Sequence, residues 1–124
     1  LPNLDRWNAD RRKTASRYLE EITNPLIMLP LPVDETFDHI YHVFAIRCDR
    51  RDALAAYLEE KGILTVIHYP VPMHMQPCYA ELNILEGALP LAEQISRTEL
   101  SIPMFYGMTD EQVSCVIDAL NSFT

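Results

Sequence analysis

The chain has 124 residues, 48% of them hydrophobic and 23% charged, with a formal net charge of -8. That length supports one core, because two would each be too small to be stable, and the acidic balance leaves no positive footprint for a nucleic-acid backbone or an anionic membrane surface. No apolar run approaches the roughly 20 residues that cross a bilayer, no basic-then-apolar leader opens the chain, and three widely spaced cysteines, Cys48, Cys78 and Cys115, fit a reducing cytoplasm.

Residues 3–23 read as a helix, with Asn3 placed to cap it and Ala15, Tyr18, Leu19 and Ile22 recurring at helical spacing. Its first half lacks a core face: Leu4 and Trp7 are followed by a polar run, so these two are expected to dock on something outside the chain. The cations of this segment, Arg6, Arg11, Arg12, Lys13 and Arg17, are expected to form a solvated face. Asn24-Pro25 ends the helix, and Pro30 and Pro32 keep residues 26–33 extended as a connector or edge segment.

Residues 40–46, rich in β-branched and aromatic side chains, are predicted to form the central strand. Asp49 offers a cap for a helix over 50–61 that Gly62 stops in the left-handed conformation. A shorter strand is expected over 63–68, and then three prolines between Tyr69 and Pro77 are expected to forbid regular structure. Pro90 suits the first turn of a helix over 89–98, in which Glu93 pairs with Arg97 at i, i+4. Leu100 to Pro103 reads as a third strand. Thr109 with Gln112 forms a capping box for a last helix over 110–122, whose Val113, Val116, Ile117 and Leu120 make a continuous apolar stripe. The expected architecture is α+β, one domain over 1–124 with a small sheet of about three strands flanked by helices, its strand directions undecided.

The densest polar constellation is His68-Tyr69-Pro70-Val71-Pro72-Met73-His74-Met75-Gln76-Pro77-Cys78-Tyr79. A stiff loop at a strand end presents binding groups at low entropic cost, although the same residues also fit a loop whose histidines are merely solvated and whose tyrosines and methionines pack on neighbouring helices. His68, His74 and Cys78, with His39 and His42 upstream, follow neither a helical i, i+4 pair nor a zinc-ribbon repeat, which argues against a metal. Cys48 and Cys115 are expected within regular elements, buried and inert, and Cys78 has no helix N-terminus or evident base to activate it. The three glycines are isolated, so no glycine-rich phosphate cradle exists.

Taken in order, the segments Trp7-Asn8 with Arg11 or Arg12, Ala15 and Tyr18; His42-Val43; Arg51-Asp52 through Leu58 to Gly62-Ile63; the block His68 to His74 continued by Gln76-Pro77 and Tyr79; Leu89-Pro90 with Glu93; and Leu100 to Met104 form one series of motifs. In that series the chain resembles the C-terminal part of the DegT/DnrJ/EryC1/StrS family of sugar aminotransferases. The resemblance implies a small domain that follows a large cofactor-binding domain of the fold-type I aminotransferase architecture. In such enzymes a lysine bonds covalently to pyridoxal phosphate, and the amino group of glutamate passes by way of the cofactor to a keto group on a nucleotide-linked sugar. The lysine and the phosphate-binding groups lie upstream in that layout. Lys13 and Lys61 read as solvated here, so no cofactor is expected on this chain alone and no catalytic residue is assigned. What the resemblance implies for this chain is a wall of the substrate cleft, with His68, Tyr69 and His74 as substrate-binding residues.

Two readings of function follow. The first is a piece of an aminotransferase, inactive alone, whose partners are a missing large domain and a nucleotide sugar and whose parent dimerises through that large domain; the start at Leu1-Pro2-Asn3, without methionine, favours it. The second is a free-standing module that binds a metabolite or a protein through the same loop. Exposure of Leu4, Trp7 and the loop side chains discriminates, because a self-contained module is expected to bury its first helix.

Overall fold

The computed structural model describes residues 2–31 and 39–124. Among the described residues, four α-helices accompany a two-stranded antiparallel sheet: α1 (Leu4–Glu21), β1 (Phe44–Arg47), α2 (Arg51–Glu60), α3 (Pro90–Thr98), β2 (Glu99–Ile102) and α4 (Asp110–Asn121). The α+β architecture is as expected from the sequence, with the strand direction now settled. The register pairs Phe44 with Ile102 and Ile46 with Leu100, and between them Ala45 with Ser101 and Arg47 with Glu99. Alternation along a strand sends the first set to one face and the second set to the other.

The apolar face meets the helices. Phe44, Ile46 and Leu100 pack with Ala15 and Tyr18 of α1, Leu54 and Leu58 of α2, and Val113, Val116, Ile117 and Leu120 of α4 in one continuous cluster. Tyr18 sets its ring edge-on to Phe44, with centroids 5.1 Å apart, and its hydroxyl donates to the carbonyl of Pro103 at 2.9 Å. Burial pushes its phenol pKa far up, so the group stays a neutral donor.

The ends of α1 and α4 are joined by two amide side chains. Asn121 accepts from the N–H of Thr23 at 2.8 Å and donates to the carbonyl of Glu21 at 2.9 Å. Asn24 donates to the carbonyls of Leu120 and Phe123, both at 2.8 Å, and accepts from the N–H of Leu26 at 3.0 Å. Asn121 thus caps the Glu21 carbonyl at the end of α1, and Asn24 caps the Leu120 carbonyl at the end of α4 and that of Phe123 just past it.

Several local expectations are corrected. The strand predicted over 40–46 begins only at Phe44, because the carbonyls of Tyr41 and His42 are taken by the Arg11 guanidinium at 3.5 and 3.3 Å and Tyr41 adopts a positive φ. The strand predicted over 63–68 reduces to a single bridge, Val66 to Ser101, since two residues later the backbone N–H of His68 turns to a side chain. Met28 likewise bridges Arg47 at the opposite edge, which agrees with an edge segment there; Pro32 and Val33 lie outside the described residues. Asn3 and Asp49 do not cap by side chain: α1 has no side-chain cap bond, and α2 starts from Arg50 without one. Regular structure does form in the proline-rich stretch, as short 3-10 turns at Met73–Met75 and Pro77–Leu82, where proline at a first position needs no N–H partner.

Other expectations stand. The Thr109–Gln112 capping box is present in both directions. At the end of α2, Gly62 has φ +75°, its N–H bonds to Glu59 and that of Ile63 to Leu58, the paired pattern that a left-handed residue allows after a helix. Of the α1 cations, Arg6 and Lys13 are exposed, as a solvated face requires, while Arg11, Arg12 and Arg17 are half-buried and bonded. Arg11 also reaches the carbonyl of Met104 at 3.2 Å, Arg12 that of His39 at 3.2 Å, and Arg17 grips Glu21 with two bonds at 2.6 and 2.9 Å.

Candidate functional site

The loop in which the sequence concentrates its chemistry is directed by β2. Val66 exchanges both backbone hydrogen bonds with Ser101, at 3.1 and 2.7 Å, so the chain from Val66 to His68 runs beside that strand. The N–H of His68 donates to Glu99 Oε2 at 2.6 Å, and its ring Nδ1 lies 2.9 Å from Ser101 Oγ. The Ser101 hydroxyl in turn donates to Glu99 Oε1 at 2.6 Å. Glu99 and Ser101 are two apart on the strand, share its non-core face and are buried at 3% and 6% exposure, whereas His68 is exposed.

Tyr69 stands beside His68 with its ring edge-on to the imidazole at 5.6 Å and is 70% exposed. Its position is held through the backbone: the Tyr69 carbonyl accepts from Ser96 Oγ of α3 at 2.6 Å. One turn earlier on the same helix, Glu93 holds the loop a second time. Glu93 is buried, and its carboxylate accepts from the N–H of Gly87 at 2.9 and 3.0 Å, from that of Leu89 at 3.3 Å, and lies 3.1 Å from His74 Nε2. Burial alone would raise its pKa; the N–H of Gly87, the His74 ring and the N–H of Leu89 outweigh that, and the net position is below the ordinary carboxylate value.

The three predicted site residues are therefore not equivalent. His68 and Tyr69 are adjacent and open to solvent, while His74 is buried and turned toward Glu93. The predicted Glu93–Arg97 pair exists at 3.9 Å, but the carboxylate is engaged mainly by the loop. Four residues that hold the site, Glu93, Ser96, Glu99 and Ser101, were not expected there from the sequence, which marked Glu93 only as the partner of Arg97 and as part of the family resemblance. A signal was available: Glu93 and Ser96 are three apart on a helix, Glu99 and Ser101 two apart on a strand, so each polar pair repeats at the period of its element and shares one face.

The remaining candidates are dispersed. His39 accepts the N–H of Tyr41 on Nδ1 at 2.9 Å, away from His68 and His74 in bonding. Among the described residues no three His, Cys, Asp or Glu side chains converge so as to hold a metal ion. Cys48 is buried just past β1, as expected, but Cys115 is exposed on the outer side of α4, against expectation, and so is Cys78. Helix α4 turns Val113, Val116, Ile117 and Leu120 to the core, and Cys115 falls between them on the turn away from it. A groove of about 470 Å³ between Ile63, Leu64, Phe105, Met108 and Val116 is largely apolar and is lined by none of the loop residues.

Lys13 is largely exposed and 3.5 Å from Asp110, and the Lys61 ammonium lies 4.9 Å above the Tyr57 ring. Leu4 and Trp7 remain 41% and 39% exposed, with Trp7 covered on one side by Tyr106 at 5.9 Å. In the loop, Met73 is 65% exposed. No helix among the described residues is long and apolar enough to cross a membrane.

Comparison with known proteins is consistent along the whole chain. It is 42% identical over 126 residues to a protein of Geobacillus stearothermophilus named pleiotropic regulatory protein, covering 99% of this chain and 34% of that one. It is 40% identical over 123 residues to the dTDP-3-amino-3,6-dideoxy-alpha-D-galactopyranose transaminase of Aneurinibacillus thermoaerophilus, covering 99% of this chain and 33% of the relative. The solved structure of S. venezuelae DesV in complex with a ketimine intermediate superposes with a TM-score of 0.93 at 40% identity, over 98% of this chain and 33% of that one. The chain thus spans about a third of the length of the relatives it matches. With the sequence model of the family matching residues 1–121, the chain belongs to the DegT/DnrJ/EryC1/StrS aminotransferase family.

Proposed function

We propose that this chain forms one wall of the substrate cleft in a pyridoxal-phosphate-dependent aminotransferase that acts on a nucleotide-linked keto-sugar, with glutamate as amino donor. The observation that carries this reading is the side-by-side exposure of His68 and Tyr69 on backbone pinned by the buried Glu99 and Ser96. A polar pair held this firmly and left open to solvent is preorganised to bind. An imidazole and a phenol supply the directional hydrogen bonds that sugar hydroxyls and phosphate oxygens need. His74 belongs to the same site through the loop, which it anchors on Glu93.

Pyridoxal phosphate, the group the family implies, supplies the electron sink for amino transfer when bound. The residues of this chain do not fit it. Lys13 and Lys61 are both exposed, the first beside Asp110 and the second over the Tyr57 ring, so neither amine sits in the dry pocket that a covalent cofactor lysine needs. Gly62, Gly87 and Gly107 each stand alone at a positive φ and form no phosphate cradle. In this reading the cofactor sits on a large domain outside these 124 residues, and the chain is inactive without it. The exposed Leu4, Trp7 and Met73 support such a neighbour. Dimerisation of the whole enzyme is assigned to that domain too. The three unpaired thiols suit a reducing cytoplasm.

The test is steady-state kinetics of His68→Ala and Tyr69→Phe in the full-length enzyme. Losing one hydrogen bond made to the sugar substrate in the transition state lowers kcat/KM about tenfold. Unchanged constants for both variants would remove the site.

A further inference from the structure

The hydrogen bonds joining Glu99, Ser101 and His68 have a direction. A carboxylate only accepts, and a serine hydroxyl has one hydrogen to give. Glu99 accepts the backbone N–H of His68 on one oxygen and the Ser101 hydroxyl on the other, both at 2.6 Å. With its hydrogen committed to Glu99, Ser101 Oγ faces His68 Nδ1, 2.9 Å away, as an acceptor. The ring proton of a neutral His68 then belongs on Nδ1, and Nε2 presents a bare lone pair. Among the described residues no hydrogen bond occupies Nε2, and His68 is exposed. The nearby Arg51 guanidinium leaves the chain undisturbed, since it donates to the backbone carbonyls of Ser96 and Glu99 and pairs with Asp52.

We propose that Glu99 and Ser101 are positioning residues that hold neutral His68 in its Nδ1–H tautomer, so that the substrate group it receives is a hydrogen-bond donor, a hydroxyl or an amine. Phosphate and carboxylate oxygens, which only accept, are poor partners for that lone pair. The substrate half of this inference rests on the cleft-wall reading above; the tautomer half stands on the geometry alone. It narrows what His68 contributes: recognition of a sugar ring substituent, with the anionic parts of the substrate left to other groups.

Long-range proton–nitrogen NMR on the full chain, at a pH where the imidazole is neutral, reads the tautomer directly. Nδ1 is expected as the protonated, pyrrole-type nitrogen and Nε2 as the pyridine-type one. Glu99→Gln reverses the relay. The amide oxygen must remain on the His68 N–H, so the NH2 group faces Ser101 and donates, the hydroxyl turns to Nδ1, and the ring proton moves to Nε2. The two nitrogen resonances should then exchange types, a change that loss of packing would not produce. Ser101→Ala removes the acceptor and should give a mixture of tautomers, which decides the matter if the glutamine variant does not fold. A pyridine-type Nδ1 in the unaltered chain, or the parent pattern retained in the variants, would overturn the relay. The expected NMR pattern with unchanged kinetics of His68→Ala, but altered kinetics of Tyr69→Phe, would sink the substrate half alone; unchanged kinetics of both would sink the cleft-wall reading as well, and in either case the relay stays intact.

Discussion

Asn24 is a single side chain on which the closure of two helices depends. It is 9% exposed and makes three hydrogen bonds to backbone groups: two donated at 2.8 Å to the carbonyls of Leu120 and Phe123, one accepted at 3.0 Å from Leu26. Asn24→Ala removes all three, and at a net value of about 1 kcal/mol each the loss is about 3 kcal/mol, a large share of the 5–15 kcal/mol that typically separates folded from unfolded domains. Asn24→Asp has nearly the same shape and keeps the bond to Leu26, yet it turns an oxygen toward two carbonyls at the negative end of α4. At neutral pH it is expected to cost more than the alanine change. The pKa of that introduced carboxyl is raised in the folded state, so its penalty is absent below the unfolded value, near 3.9, and grows as the pH rises. Urea unfolding followed by circular dichroism at about pH 7 and about pH 4 measures both effects against the alanine variant. An aspartate variant as stable as the alanine one at neutral pH would refute the assignment of the amide as donor to both carbonyls.

The Glu93 cluster gives a second pH signature. Its carboxyl lies below the ordinary value in the folded chain, so its contribution is present above the unfolded pKa and is lost as the pH falls through the folded one. In Glu93→Gln the urea midpoint should be less sensitive to acid than in the parent chain, and an identical acid response would count against the cluster. Thiol accessibility is simpler: under native conditions a maleimide should label Cys78 and Cys115 but not Cys48, as read by mass spectrometry of peptides. Rapid labelling of Cys48 would mean that the core around it opens.

The helices were legible because their signals are local. Thr109 with Gln112, Pro90, Gly62 and the apolar stripe of α4 each act within a turn or two, and all four helices lie within three residues of their expected limits. The strands were less so. Whether residues 40–43 or 63–68 join a ladder depends on which partner takes their backbone groups. Those partners, Arg11 and Glu99, come from α1 and β2, 31 residues away in each case for His42 and His68. The candidate site divides in the same way. His68, Tyr69 and His74 stand out as residue types on a proline-stiffened loop, but the anchors beneath them are ordinary glutamates and serines of α3 and β2. Their meaning appears only when the fold sets them against the loop. His74 shows the limit most clearly: nothing in its neighbours along the chain marks it as buried, and it is Glu93, 19 residues on, that draws it in.

The paired amides at the ends of α1 and α4 also bear on how the chain comes into being. Their bonds join residues 96 to 100 positions apart, so α1 cannot meet its partner until nearly the whole sequence exists. At a synthesis rate of about 5–20 residues per second, α1 waits roughly 5–20 s before α4 can cover it. Contacts of such long range close late and at an entropic cost paid in advance. During that interval the polar first half of α1, with its exposed Arg6 and Lys13, keeps the waiting helix in solution.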